Sequence, residues 1–214
     1  MPQSTFEKFL PASGILAGIL FALGGYLAKL PESTTDNPVA VITGHETQNM
    51  VSFIATALFA VTFAFFTVGI RQALRSGEPG ESTYSSAAFA GGIIVATVSA
   101  LSAWITLSLM DVVDDKDVVT AKAISALGIG SWVPLMVGLA VLLLSTGLGG
   151  LRTAVLPKWL AIVTIVLGVC CLLGPTGFAV WFAMPLWCIA VSVVLVRRQS
   201  VDASSAPLRE PATA

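Results

Sequence analysis

The stretch from Met50 to Ile70 reads "MVSFIATALFAVTFAFFTVGI" and contains no ionisable residue. A helix needs about 20 predominantly apolar residues to cross the hydrocarbon core of a bilayer. Such a run constrains a chain strongly, because in lipid every backbone polar group must be paired within its own segment. The run is repeated along the sequence. Apolar stretches predict helices over Leu10–Ala28, Met50–Arg71, Tyr84–Met110, Ala126–Leu148, Lys158–Leu173 and Phe178–Val196, none with an ionisable residue in its interior. The last two are joined only by "GPTG" at Gly174–Gly177, a turn signal that makes them a tight hairpin. Charged residues make up 11% of the chain, against about 25% in soluble domains. The expected fold is therefore all-α, a polytopic bundle of six transmembrane helices over residues 1–198. A cytoplasmic tail over 199–214 carries few bulky apolar residues and is expected to be disordered.

Lys8 followed by an apolar run has the outline of a signal peptide, but cleavage after Ala28 would set Tyr26 where a small residue is needed. The first run is read as an uncleaved membrane helix. Basic residues in the connections set direction. With the N-terminus inside, Lys8, Arg71, Arg75, Arg152, Lys158, Arg197, Arg198 and Arg209 fall on the cytoplasmic side, eight of the eleven basic residues. Lys29, Lys116 and Lys122 fall outside, among the acidic residues of the long outer connections. An even number of spans returns the C-terminus to the cytoplasm.

Two faces of small residues at four-residue spacing suit close helix contact: Gly14, Gly18 and Ala22, and Ala88, Gly92, Ala96 and Ala100. They serve either packing within the bundle or an interface with another membrane protein or a second copy. Pro134 and Pro185 are expected to kink their helices. Ser99, Ser102 and Thr106 share one face of the third helix, near Trp104. They could line a polar path or bond back to their own helix carbonyls.

"TGHETQN" at Thr43–Asn49 has the outline of a zinc-hydrolase motif, but that pattern needs a second histidine one turn on, and His45 is the only histidine. A capping box of Thr43 and Glu46 at the start of the second helix accounts for the same letters. His45, Glu46 and Asn49 remain as a shared outer face that could touch a ligand. "DVVDDKD" at Asp111–Asp117 lacks the glycine and closing glutamate of a calcium loop and reads as a solvated acidic connection. Cys170, Cys171 and Cys188 lie in apolar runs, with neither metal nor disulfide spacing. No cofactor motif is present, and a net charge of -1 gives no field for nucleic acid. The lack of mid-membrane ionisable residues argues against a pump coupled through carboxylates.

The last quarter, with Leu156-Pro157-Lys158-Trp159 opening a helix, Gly174-Pro175 at the turn, Pro185 with Trp187, and Arg197-Arg198 closing, resembles the final hairpin of uncharacterised actinobacterial multi-pass membrane proteins. The resemblance implies a bacterial plasma-membrane protein and supplies no catalytic residues. The leading expectation is a non-enzymatic accessory protein acting through helix contacts, with the lipid bilayer as its surroundings. The second is a small permease or channel for a neutral or apolar solute, which requires a cavity containing Ser102 or Thr106. The third is a membrane metalloenzyme at His45 and Glu46.

Overall fold

The structure is a computed structural model and describes residues 5–31, 38–80, 82–114 and 117–204. Every regular element among them is helical: α1 (Thr5–Leu27), α2 (Pro38–Thr43), α3 (Glu46–Arg75), α4 (Thr83–Asp114), α5 (Val118–Gly130), α6 (Trp132–Thr153), α7 (Lys158–Leu172) and α8 (Gly177–Ser204), with a 3-10 turn at Gly174–Thr176 before α8. The all-α expectation holds. Five segments are long and apolar enough to cross a membrane: Phe9–Leu27, Glu46–Arg75, Thr83–Val113, Val118–Thr153 and Gly174–Ser200. The fifth predicted helix, α7, has 15 residues. At 1.5 Å per residue it is about 22 Å long, short of a hydrocarbon core of about 30 Å. The predicted fourth helix lies within the apolar segment Val118–Thr153, made of α5 and α6, and the backbone stays right-handed helical at Ser131 between them (φ -65°, ψ -14°). Helix α8 runs to Ser204, past the Val196 at which the sequence reading ended it and into the tail read as starting at 199, and residues 205–214 lie outside the described part.

Helices α1, α3, α4, α6, α7 and α8 each pack on the next, and α8 returns to α1, closing a ring of antiparallel neighbours. Glycines set the approaches. A Cβ on Gly14 would meet Ser192 and Phe66, and one on Gly18 would lie 2.7 Å from the Pro185 carbonyl oxygen, so this face of α1 is occupied by α3 and α8. Gly92 is filled by the Thr67 side chain of α3. Ala88 and Ala96 are buried, Ala22 is half-buried and Ala100 is exposed, so the small face of α4 stops short of its predicted end. The closest approach to another helix's backbone is at Gly91, where a Cβ would meet the Leu142 amide and lie 2.8 Å from the Gly138 carbonyl oxygen of α6.

The outward faces are apolar, as lipid-facing surfaces must be. Ile54, Leu58 and Val61 on α3, and Trp159, Ile162 and Val166 on α7, are exposed. Trp104 is 61% exposed and turns outward, away from the hydroxyls of α4. The arginines gather at one end. Arg71 lies over the Phe89 ring, Arg152 over Tyr84, and Arg198 donates to the Ala154 carbonyl at 2.9 Å. At the same end, the predicted turn after α3 holds Gly80 at φ +87°, and the Glu78 carboxylate accepts from the Ser85 amide and hydroxyl to cap α4.

Candidate ligand-binding cavity

At the opposite end, where α1 and α4 finish and α3, α6 and α8 begin, the ring holds a half-open cavity of about 740 Å³. Small-molecule sites usually run to about 300–1,000 Å³. The lining has two characters. One side is aromatic, with Phe21, Phe59, Trp132 and Trp181. The other carries hydroxyls: Ser99, Ser102 and Thr106 on α4, facing Ser131 at the junction of α5 and α6. Ser52 and Thr56 of α3 complete the set. Among the described residues no ionisable side chain lines it.

The α4 hydroxyls bond back to their own helix and also line the cavity. Ser99 donates to the Val95 carbonyl at 2.8 Å, Ser102 to Val98 at 2.9 Å and Thr106 to Ser102 at 3.0 Å, and all three face the cavity. Back-bonding makes such hydroxyls tolerable in an apolar setting, because the hydrogen is paired and only lone pairs face the open space. Ser52 reaches further, donating at 2.6 Å to the Gly24 carbonyl across the α1–α3 interface.

The wall formed by α5 and α6 stays helical through Ser131, three residues before Pro134, with the Ser131 amide donating to the Leu127 carbonyl at 3.1 Å. Proline has no amide hydrogen, so the Gly130 carbonyl loses its helical partner. Pro185 acts likewise on the Trp181 carbonyl of α8, which continues through the proline. Gly130 and Trp181 both line the cavity.

Below the cavity the bundle is filled by rings. Trp132 stacks on Phe178 at 5.0 Å and lies 5.4 Å from Trp181. Trp181 meets Phe21, Phe21 meets Phe59, and Phe59, Phe63, Phe66 and Trp187 follow at 5.0–6.0 Å. The Trp187 indole then donates to Thr164 of α7 at 2.9 Å. Phe59, Phe63 and Phe66 are fully buried, so this column closes the cavity toward the arginine end.

The outer-face residues do not form a site. Asn49 is buried and turns inward, its Oδ1 accepting from the Lys29 amide at 2.9 Å and its Nδ2 donating to the Lys29 carbonyl at 3.3 Å. His45 and Glu46 are exposed. His45 Nδ1 lies 2.9 Å from the Val41 carbonyl. The capping box does not form: Thr43 ends α2 and donates to the Val39 carbonyl, and His45 precedes α3 with no side-chain cap. Among the described residues no three His, Cys, Asp or Glu side chains come together.

The acidic segment is partly helix. Asp111 lies in α4, and Asp117 caps α5, accepting from the Val119 and Thr120 amides at 3.1 Å and from the Thr120 hydroxyl at 2.6 Å. The Thr120 hydroxyl, then its amide, hold the Asp117 carboxyl below the usual value. Asp115 and Lys116 lie outside the described residues.

Ser52, Ser131, Trp132 and Trp181 escaped the sequence reading. The signal for Ser131 was present in "GIGSWVP", where small residues precede a helix-breaking proline. Comparison with protein-family models, with curated proteins and with solved structures finds no match.

Proposed function

We propose that this protein is a membrane-embedded permease for a neutral, largely apolar solute. The observation that carries the reading is the cavity of about 740 Å³ with Ser102 and Thr106 in its wall and, among the described residues, no ionisable side chain in its lining. A charged solute would lose several kcal/mol of hydration there with no countercharge to offset it. The buried aromatic column favours a carrier over an open channel, since a channel needs a continuous path.

The small-residue faces that motivated the accessory-protein reading are largely occupied within the chain, at Gly14, Gly18 and Gly92. An interface with another membrane protein or a second copy then has to use other surfaces. For the topology, α7 serves as a short sixth span between its antiparallel neighbours α6 and α8. Both termini are cytoplasmic, and the cavity opens to the outside of a bacterial plasma membrane. The concentration of arginines at the end away from the cavity supports this direction.

Equilibrium dialysis of the protein in nanodiscs, with empty nanodiscs subtracted, tests the reading. Borneol, a compact neutral probe, is expected to bind saturably and bornyl sulfate is not. Ser102→Trp, which fills the cavity, should abolish binding with the thermal transition retained. Equal binding of the two probes, or of wild type and Ser102→Trp, would contradict the proposal.

A further inference from the structure

The hydroxyls of the cavity have a direction. A carbonyl cannot donate, so each hydroxyl that contacts one must point its hydrogen there. Ser102 does so at 2.9 Å to Val98, and Ser131 at 2.6 Å to Gly128. These two oxygens lie 3.4 Å from each other across the cavity wall. That separation is longer than an O–H···O bond, which falls at about 2.5–3.0 Å, so the shorter carbonyl contacts hold both hydrogens. Two oxygens then face each other with lone pairs only. The arrangement is satisfied when a hydrogen from a third molecule enters between them. Gly130, which also lines the cavity, has a carbonyl deprived of its helical amide by Pro134.

Donors among the described lining residues lie elsewhere. They are the Thr56 hydroxyl on α3 and the indoles of Trp132 and Trp181, which belong to the aromatic side. The Trp181 ring edge bearing Nε1 rests against Gly25 of α1.

We infer that the cavity selects a solute with an apolar body and one neutral hydrogen-bond donor, a lipophilic alcohol or phenol, whose O–H is received between Ser102 and Ser131. The apolar body lies on Phe21, Phe59 and the tryptophans. A buried acceptor pair discriminates against a solute of the same shape that has no hydrogen to give, because the acceptors then stay unpaired.

This inference rests on the proposed ligand-binding role, and a matched pair of probes separates the two. Borneol and bornyl methyl ether share a skeleton and differ in the donor. Dialysis against the protein in nanodiscs, corrected for partition into empty nanodiscs, is expected to give borneol an affinity higher by about threefold to tenfold, the range of one net hydrogen bond. In Ser102→Ala/Ser131→Ala the ratio should fall toward one, with the ether still bound. Equal affinity of both probes for wild type would overturn the donor assignment and leave the binding role standing. An undiminished ratio in the double variant would overturn the placement between Ser102 and Ser131. Binding of neither probe would overturn both the inference and the role.

Discussion

Asn49 holds both polar groups of the Lys29 peptide where α1 ends, and its side chain is buried. A helix end leaves carbonyls without partners, and in an apolar setting each must be satisfied by something other than water. Asn49 supplies an acceptor and a donor on one side chain, which few residue types can do. Asn49→Ala should therefore destabilise the protein by about 1–3 kcal/mol. His45→Ala, one turn away and exposed, should stay within about 0.5 kcal/mol. Denaturation in mixed micelles measures both, and equal effects would sink the assignment. Helical spacing put these residues on one face, but His45 precedes α3 and stays exposed with Glu46 while Asn49 is buried. Which way the face turns depends on where α1 ends in space, which no local pattern contains. The Thr43 cap failed for a related reason. The sequence is compatible with a cap on α3, but α2 forms just before it and takes the Thr43 hydroxyl for its own last turn.

The helices were legible because absence of charge over a long run is a strong signal, and their pairing was partly so. Spacing of four pointed to Gly14, Gly18 and Gly92, and all three lie at close crossings. It passed over Gly91, which sits one residue off the stripe and faces α6 instead of α3. The difference lies in what each glycine meets. Gly92 faces the Thr67 side chain, whereas Gly91 faces backbone, which has no rotamer to change. Gly91→Ala should cost about 1–3 kcal/mol through overpacking. Gly130→Ala, where a Cβ meets nothing within 4 Å, should cost far less. The two unfolding transitions in detergent rank them, and the reverse order would contradict the crossing described here. The division into α5 and α6 was only half visible. Pro134 announced a disturbance, and its missing amide leaves the Gly130 carbonyl one turn upstream without its helical partner, while Ser131 keeps helical backbone.

At the scale of the molecule, the ring of helices leaves space at one end and fills it with aromatic rings at the other. The hydroxyl side of this cavity could be read from Ser99, Ser102 and Thr106. The aromatic side could not, since Phe21, Phe59, Trp132 and Trp181 come from four helices and meet only when the ring closes. The same closure places the arginines at the far end. A cavity reached from one side and sealed on the other is the central claim, and cysteine access reads it directly. In a protein with Cys170, Cys171 and Cys188 replaced by alanine, Ser102→Cys in sealed vesicles of both orientations would be treated with a small impermeant methanethiosulfonate. Reaction from the extracytoplasmic side, slowed by borneol, and little reaction from the cytoplasmic side is the predicted result. No reaction from either side, or equal reaction from both, would contradict it.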